Sequence, residues 1–487
     1  MFNFEEYETK RVSGFDDSTL LRMFGAQAAE DESIERLKEY FVRNKAYERL
    51  RSDIKIRLLV GHKGIGKSAL LKMSHSADKE QKRLAIWLQP NDIANAWSVD
   101  GQFVERVEKI KSNLLAIIAQ KCLNEFEVFG KLVGENATIF TTKQVISILL
   151  TKVVGESLNG VDAAIFDKFN KNQEIFVYVD DIDRGWSANS KDVENVSALI
   201  NAVRDIVNTD ERIKFRIGLR SDAYNLVRQH DESGDKFEPY RVPIQWNNHE
   251  VLVLMAKRVA TFMGEHVSEQ ELEHQSQKKI SRYLAPVVEQ VFIGNGHWAN
   301  RPIHNVLLSL TRRRPRDLVK LLTGAAQHAD GEDRKHITSR DLAESFPEYS
   351  KGRIADLISE FGSELPQIKD VLYSMKPTTK EQKEKDKKFL YTQDEIVKKL
   401  NGIANNQNVF FAKGGKANGI SLLEFLFKID FAIARKDGES EIDRLYYQDH
   451  PNLVSNKVNF GYAWEVHPAY RWALAPSVTK TLEALEI

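Results

Sequence analysis

A glycine-rich segment between a strand-like run and a helix-like run constrains this chain more than any other feature. Residues 56–60 read Ile-Arg-Leu-Leu-Val, residues 61–68 read Gly-His-Lys-Gly-Ile-Gly-Lys-Ser, and Ala-Leu-Leu follows. The two outer glycines, the lysine and the serine have the G-x-x-x-x-G-K-[ST] spacing of a phosphate-binding loop, in the strand-to-helix setting that this loop requires. A glycine-rich turn with a surface lysine is the alternative, which the flanking strand and helix disfavour.

Each residue type in the loop suits the binding of phosphate oxygens. Glycine lets backbone N–H groups curve around an anion because it has no Cβ, and the N-terminus of the following helix adds its positive dipole end. We expect Lys67 to contact the β- and γ-phosphates and the Ser68 hydroxyl to complete a Mg²⁺ shell. The predicted nucleotide-binding residues are Gly61, His62, Lys63, Gly64, Ile65, Gly66, Lys67, Ser68 and Ala69.

The composition is that of an ordinary globular protein with several domains. Of the 487 residues 42% are hydrophobic and 29% are charged, and 70 basic residues balance 70 acidic ones, so the overall charge does not mark a nucleic-acid binder. The single cysteine, Cys122, excludes a disulfide framework and a cysteine-based metal site. The acidic first residues and the lack of an apolar run of membrane-spanning length predict a cytoplasmic protein without a membrane partner.

Adjacent carboxylates follow a second buried strand. Residues 174–179 read Glu-Ile-Phe-Val-Tyr-Val, and Asp180 and Asp181 come next. Five consecutive apolar residues indicate a strand buried on both faces of a parallel sheet, and its carboxyl end is where α/β sheets hold ligands. We expect Asp180 to order the Mg²⁺ waters and Asp181 to polarise the attacking water. Asp183 and Arg184 either belong to this site or form a surface ion pair.

Two arginine-bearing segments provide further candidates. Residues 213–219 predict another strand that ends at Arg220, which is either a sensor of the γ-phosphate or a turn residue. Four arginines, at positions 312, 313, 314 and 316, surround Pro315 at the predicted start of a helix. Because these arginines would repel each other, they predict an anionic partner, which is this chain's nucleotide, a neighbouring subunit's nucleotide or a nucleic acid backbone. A solvated basic turn is the alternative.

The patterns of strands and helices divide the chain into four predicted regions. They are an N-terminal helical segment at 1–54, a parallel-sheet core at 55–262 with a helical insertion at about 101–170, a helical region at 263–345 and a C-terminal domain at 346–487. The insertion includes an apolar run at 145–154, which predicts a buried helix.

The C-terminal domain is predicted to be winged-helix-like, because helices are followed by a small hairpin. Thr392 with Glu395, and Ser421 with Glu424, have capping-box spacing and predict the starts of two helices. Winged helices often place a helix in the DNA major groove. The helix at 421–428 is too apolar to face base edges, so we expect protein contact or internal packing there.

With these motifs together, the chain resembles bacterial P-loop ATPases related to the ORC/Cdc6, STAND and KAP lineages, and most closely the Sll1717-type group. The resemblance rests on residues 24–30, 61–68, 180–183, 219–222, 244–246, 314–317 and 466–470. It implies an AAA-like core, a helical lid that supplies a sensor arginine and a C-terminal winged helix. Arg316 matches the lid arginine best, with Arg313 and Arg314 as alternatives.

One departure from the family pattern bears on activity. AAA proteins usually have Asp-Glu at the end of the acidic strand, whereas this chain has Asp180 and Asp181. The shorter second carboxylate predicts slow or switch-like hydrolysis. The resemblance also implies a role in bacterial anti-phage defence or regulation.

The sequence therefore predicts a Mg²⁺-dependent ATPase that acts as a nucleotide-driven switch or assembly platform. The predicted catalytic residues are Lys67, Asp181, Arg220 and Arg316, and the predicted metal ligands are Ser68 and Asp180. The expected cofactors are ATP and Mg²⁺, and the expected partners are further copies of the chain or an effector protein, with nucleic acid as an alternative. The competing hypotheses are a nucleotide-gated DNA-binding protein that uses the C-terminal winged helix and a non-hydrolysing nucleotide scaffold.

Overall fold

The structure is a computed structural model that divides into two compact units. It describes residues 3–26, 32–97, 102–133, 174–183, 185–187, 189–230, 234–294, 298–383, 389–412, 414–437, 442–455 and 461–474. We call Ser33–Lys38 with Arg43–Ile244 the P-loop unit, and Met1–Glu32 with Glu39–Val42 and Gln245–Ile487 the helical unit. Among the described helices, none combines the length and the apolar character needed to cross a membrane.

A five-stranded parallel sheet forms the centre of the P-loop unit. Its strands are β1 (Ile56–Gly61), β2 (Leu84–Leu88), β3 (Ile175–Val179), β4 (Ile213–Arg220) and β5 (Arg241–Pro243). They lie in the order β2-β3-β4-β1-β5, and every pair is parallel. The predicted α/β class with a parallel-sheet core is therefore confirmed, as are the strands predicted at 56–60, 174–179 and 213–219.

Helices cover both faces of this sheet. Those of the P-loop unit are Lys45–Leu50, Lys67–Glu80, Pro90–Trp97, Phe103–Val133, Ser190–Thr209 and Ser221–His230, followed by the 3₁₀ helix Gly234–Tyr240. The helix Ile34–Tyr40 has residues in both units. The predicted insertion at 101–170 is helical up to Val133; the remainder, including the apolar run at 145–154, lies outside the described residues.

Alternation along β3 decides which side chains reach the phosphate loop. Ile175, Val177 and Val179 belong to the apolar core that includes residues of the helices Phe103–Val133 and Ser190–Thr209. Successive side chains of a strand point to opposite faces, so Tyr178 and Asp180 point to the other face. That face carries the helix Lys67–Glu80, which begins at the phosphate loop.

The helical unit combines many helices with one antiparallel sheet. Its helices are Phe4–Thr9, Asp17–Phe24, Asn248–Phe262, Glu269–Glu273, Gln277–Ser281, Ile303–Ser309, Pro315–Asp330, Ser339–Phe361, Ile368–Ser374, Thr379–Lys383, Gln393–Asn406, Gly419–Lys428 and Arg471–Leu474, with 3₁₀ helices at Arg282–Leu284 and Pro468–Tyr470. The sheet contains β6 (Leu390–Tyr391), β7 (Ala432–Asp437), β8 (Ile442–Leu445) and β9 (Ala463–Val466) in the order β6-β9-β7-β8.

Two details of the helical unit differ from the sequence prediction. The helix Ser339–Phe361 runs through positions 345 and 346, so the predicted domain boundary there does not coincide with a break between elements. The helix predicted to start after Ser421 starts at Gly419, because Asn418 is its N-cap and Ser421 is the N3 residue of the capping box. Internal packing of this helix is confirmed: Leu422, Leu423, Phe425, Leu426 and Phe427 are all buried.

Candidate functional site

The phosphate loop has the backbone conformation that its glycines permit. Gly64 and Gly66 have φ angles of +78° and +105°, in the region that side chains with a Cβ rarely adopt. Gly61 ends β1, and a Cβ there would lie 2.6 Å from Cγ2 of Ile65. The helix begins at Lys67 directly after Gly66, so its free N–H groups face the loop.

The side chains of the loop divide into buried and accessible ones. His62 and Ile65 are buried, Lys63 is exposed, and Lys67, Ser68 and Ala69 are half-buried. The Lys67 ammonium group donates hydrogen bonds to the carbonyl oxygens of Gly61 at 3.1 Å and His62 at 3.3 Å. Lys67 is therefore folded back over its own loop, next to the helix N-terminus.

Asp180 extends from the end of β3 toward the start of the same helix. Its side chain is buried, and its carboxylate is hydrogen-bonded to the Ser68 hydroxyl. Its Oδ1 atom is buried and has no hydrogen-bond partner among the described residues. Burial, with the nearby Asp181 carboxylate, raises the pKa of Asp180 to about 6, although Ser68 and Lys67 favour the charged form.

The next two carboxylates differ in their environments. Asp181 is half-buried and has a φ of +53°, which places its backbone in the left-handed region. Asp183 is buried, and its Oδ2 accepts a hydrogen bond of 3.0 Å from the backbone N–H of Arg220. Burial raises the pKa of Asp183, while the cations of Lys67 and Arg220 act in the opposite direction. Asp183 is thus part of the site, and Arg184 lies outside the described residues.

Arg220 stands beside the loop but is held by carboxylates. It is paired in register with Gly61 across β4 and β1, at the carboxyl edge of the sheet. Its guanidinium donates two hydrogen bonds to Asp222, at 3.1 and 2.6 Å, and lies 3.5 Å from Asp183. This bidentate pairing fixes the position of the guanidinium, so Arg220 could contact a phosphate only while sharing its donors with Asp222.

Negative charge exceeds positive charge in this cluster. Four carboxylates, from Asp180, Asp181, Asp183 and Asp222, accompany two cations, from Lys67 and Arg220, which leaves two negative charges when all six groups are ionised. Within the described ranges no group of three or more His, Cys, Asp or Glu side chains could hold a metal ion. The arrangement suits a divalent cation that takes one or two protein ligands and completes its shell with water and phosphate oxygens.

Two residues of the site carry no role in the sequence prediction. Gly218 of β4 lies against Asp180, since a Cβ there would be 2.7 Å from Oδ1 of Asp180. Asp222 is buried and holds Arg220. A glycine inside a strand often marks a close approach by another group, so Gly218 had a readable signal.

The arginines before Pro315 pair with carboxylates of the same chain. Arg312 is 3% exposed and donates hydrogen bonds of 2.7 and 2.8 Å to the buried carboxylate of Asp317. Arg353 contacts the same carboxylate at 2.6 Å. Burial alone would raise the pKa of Asp317, but Arg312 and Arg353 outweigh it and hold that pKa well below its usual range. For Arg312, the expectation of an anionic ligand is therefore wrong.

The neighbouring arginines are paired in the same way. Arg314 is 1% exposed and lies 3.3 Å from Glu360 and 3.6 Å from Asp430. Arg313 pairs with Asp449 at 2.7 Å and lies over the ring of Tyr446. Repulsion among these arginines is thus relieved by acidic side chains distant in sequence.

Arg316 remains the candidate for the predicted lid arginine. It is half-buried near the start of the helix Pro315–Asp330. It belongs to the helical unit, whereas the phosphate loop, Asp181 and Arg220 belong to the P-loop unit. The role of Arg316 therefore stays a prediction.

Comparison with known proteins adds one family match. Residues 266–358 match the model of the FunZ-associated C-terminal helical domain. These residues include the helix Pro315–Asp330 and most of the helix Ser339–Phe361. No curated protein matches the chain.

Several solved structures are similar over most of their length. The Aeropyrum pernix ORC2 protein in ADPNP-ADP complexes is 11% identical, with 92% of this chain and 95% of that chain covered and a TM-score of 0.38. The Thermotoga maritima RuvB Holliday junction branch migration motor is 11% identical, with coverages of 90% and 99% and a TM-score of 0.33. Cdc6p from Pyrobaculum aerophilum is 11% identical, with coverages of 96% and 98% and a TM-score of 0.32. The fold assignment rests on the sheet and the loop described above rather than on these likenesses.

Proposed function

We propose that this protein binds ATP together with Mg²⁺ and hydrolyses the β–γ phosphate bond. The observation that carries this proposal is the buried Oδ1 of Asp180, which lacks a hydrogen-bond donor beside a phosphate loop. A buried acceptor without a donor is costly, and a metal-bound water would supply the missing donor. Ser68 and Asp180 would hold the metal, as their hydrogen-bonded proximity supports.

The loop residues would bind and orient the triphosphate. The backbone N–H groups from Gly61 to Ser68 form the cradle, and Lys67 would exchange its bonds to loop carbonyls for bonds to phosphate oxygens. Bound Mg²⁺ would neutralise charge that develops on the phosphate oxygens. Positioning and charge stabilisation account for most of the catalysis in phosphoryl transfer.

Asp181 and Arg220 would act on the attacking water and on the γ-phosphate. Asp181 is half-buried beside Asp180, where its carboxylate could accept a hydrogen bond from the attacking water and align it. Arg220 adjoins Gly61 and would stabilise charge on the γ-phosphate, while Asp222 keeps its guanidinium at the sheet edge. The short Asp181 side chain favours slow turnover, which suits a nucleotide-dependent switch.

Turnover and nucleotide binding by single variants test this proposal. We expect Lys67→Ala to lower ATP turnover about 100-fold or more, since one stabiliser of the transition-state charge is lost. Asp181→Asn should lower kcat about 100-fold while ATP still binds. Lys79→Ala is the matched control, because Lys79 is exposed in the last turn of the same helix, roughly 18 Å along the axis from Lys67.

Defined results would overturn the proposal. A Lys67→Ala chain that binds and hydrolyses ATP like the unaltered chain would exclude the loop as the active site. Normal activity of Asp181→Asn would assign water alignment to another group. ATP binding without hydrolysis in the unaltered chain would support the nucleotide scaffold, and parallel assays with GTP would establish the base preference.

The wider roles stay predictions. Internal packing of the helix Gly419–Lys428 gives no support to base reading by its apolar face, so the DNA-binding hypothesis rests on no observation among the described residues. Assembly into an oligomer, an effector partner and a role in anti-phage defence are implied only by the family resemblance. Sizing in ATP–Mg²⁺ against nucleotide-free buffer tests the first of them.

A further inference from the structure

An open groove lies along the packed helices Pro315–Asp330 and Ser339–Phe361 within the helical unit. Its volume is about 460 Å³, which is typical of small-molecule sites. Charged and polar side chains from both helices line it, including Lys320, Gln327 and Arg353. None of these residues belongs to the phosphate site, so the groove could serve a separate ligand.

Lys320 presents an incompletely paired cation to the groove. Its side chain is 27% exposed, and the closest carboxylate oxygen, from Asp356, is 3.8 Å away, which is too far for a hydrogen bond. The ammonium group makes no hydrogen bond to any of the described residues. Burial and the nearby Arg353 guanidinium lower the pKa of Lys320, as expected for a cation that lacks compensation.

Cations outnumber carboxylates at this end of the groove. Asp356 also contacts Arg353 at 2.9 Å and Arg312 at 3.7 Å, and Asp317 is shared by the same two arginines. Three cations, including Lys320, therefore share two carboxylates, which leaves one positive charge at this end. The Glu348 carboxylate also lines the groove, but it is exposed and lies 3.8 Å from Lys351. In addition, the Nε atom of Arg353 is buried without a hydrogen-bond partner in the described part of the chain.

The rest of the groove offers neutral polar groups and free space. The side chains of Thr323, Gln327 and His328 line it and make no hydrogen bonds to described residues. On the opposite helix, a Cβ on Gly352 would meet no atom within 4 Å. A ligand could therefore approach the backbone of the second helix while its polar groups bond to the first.

We propose that this groove binds a small molecule with a phosphate or carboxylate group, whose oxyanion pairs with Lys320 and accepts a hydrogen bond from Nε of Arg353. The oxyanion would supply the negative charge that the cluster lacks, and charged hydrogen bonds are the stronger kind. Thr323 and Gln327 would bond to the remainder of the ligand. The site is independent of the proposed ATPase activity.

Equilibrium dialysis of the full chain against inorganic phosphate, pyrophosphate and citrate at constant ionic strength tests the site. The Lys67→Ala chain is used, so that the phosphate loop does not dominate binding. We expect saturable binding of one anion per chain, and Lys320→Gln should weaken it about tenfold or more, because a charge-assisted bond is lost. Preference for the phosphates assigns the ligand to phosphorylated molecules, and preference for citrate assigns it to carboxylic acids.

Two further variants make the result decisive. Gly352→Leu should fill the groove from the second helix and abolish binding without altering any charge, so it decides the question if Lys320→Gln does not fold. Lys278→Gln is the control, because Lys278 is exposed on the helix Gln277–Ser281 outside the groove, and it should leave binding unchanged. The proposal is overturned if no anion binds saturably, if Gly352→Leu binds normally, or if both lysine variants lose affinity equally.

Discussion

Gly218 lies so close to Asp180 that a Cβ at Gly218 would be 2.7 Å from the carboxylate oxygen Oδ1. The same Cβ would lie 2.9 Å from Cδ1 of Leu71, in the helix that follows the phosphate loop. Separations below 3.0 Å require one of the neighbours to move. The missing side chain at Gly218 therefore leaves the space in which the Asp180 carboxylate lies next to Ser68.

Gly218→Ala is expected to impair turnover by displacing Asp180. The added methyl group would push the carboxylate away from Ser68, and we expect kcat to fall about tenfold or more with a higher Mg²⁺ requirement, since small misplacements of catalytic groups are costly. Steady-state ATPase assays over a range of Mg²⁺ concentrations measure this. Gly402→Ala, where the methyl group meets nothing within 4 Å, should leave both parameters unchanged.

Tyr178→Phe is expected to destabilise the P-loop unit. The Tyr178 hydroxyl donates a hydrogen bond of 2.5 Å to the buried carboxylate of Asp78. The Ser74 hydroxyl lies 2.8 Å from the Tyr178 hydroxyl oxygen. Loss of the hydroxyl would leave buried groups unsatisfied, at a cost of about 1–3 kcal/mol in the free energy of unfolding. Urea unfolding measures this cost.

Tyr240→Phe is the matched control for Tyr178→Phe. Tyr240 is half-buried against the same apolar core, and its hydroxyl has no hydrogen-bond partner among the described residues. Its loss should change the free energy of unfolding by no more than about 0.5 kcal/mol. Equal effects of the two substitutions would mean that the bond to Asp78 adds nothing.

Asp317→Asn is expected to destabilise the helical unit strongly. The substitution removes the negative charge that Arg312 and Arg353 share, and leaving a buried charge without its partner costs about 3–5 kcal/mol. Thermal and urea unfolding would show this loss. Asp370→Asn, at an exposed position in the helix Ile368–Ser374, makes the same chemical change and should have almost no effect.

Stability is expected to fall as the pH drops below 6.5, in part because of His467. This side chain is fully buried, and burial lowers its pKa to about 3, with Arg444 adding to the effect and Glu465 opposing it. In the unfolded state histidine has its ordinary pKa of about 6.5. Between this value and the folded-state pKa of about 3, only the unfolded state binds the proton. The free energy of unfolding therefore rises with pH across this window and levels off above it. The contribution lost between pH 7 and pH 5 is about 2 kcal/mol.

His467→Asn isolates this contribution. Nδ1 of His467 accepts a hydrogen bond of 3.1 Å from the Ala469 backbone, and the asparagine side-chain oxygen can accept it instead. Burial also lowers the pKa of His304 and His336, which are present in both chains. The contribution of His467 is therefore the difference in the free energy of unfolding between the unaltered and the His467→Asn chain at each pH. We expect the free energy of unfolding of the His467→Asn chain, measured by urea unfolding at pH 7, 6 and 5, to vary less with pH than that of the unaltered chain. Parallel curves for both chains would show that His467 does not titrate on unfolding.

The sequence was informative wherever a pattern is local. The strands β1 and β3 are short, mostly apolar runs, and the phosphate loop is a contiguous motif, so all three could be predicted from neighbouring residues. Asp180 and Gly61 could be placed at one sheet edge because parallel strands share their carboxyl ends. The close contact between Gly218 and Asp180 required the register of β3 and β4, which no local pattern contains.

Long-range pairing explains what the sequence prediction missed. Arg314 looked like part of an anion site because its carboxylate partners, Glu360 and Asp430, lie 46 or more positions away. For Arg312, whose partner Asp317 is only five positions away, no local pattern shows that the two side chains are buried together. The start of the helix Gly419–Lys428 was misplaced for a different reason. Asn418 and Ser421 can each cap a helix, and the tertiary contact of Gly419 with Asn401 favours the earlier start.

The pairing of Arg314 with both Glu360 and Asp430 has a consequence for how this protein could have evolved. Two segments that share buried charges cannot be inherited separately, because a chain that received only one would carry an uncompensated ion in its interior. Recombination near position 345 would separate Arg314 from Glu360 and Asp430, and it would also divide the helix Ser339–Phe361. We therefore expect homologues to gain or lose residues 266–358 and the C-terminal sheet as one inherited block.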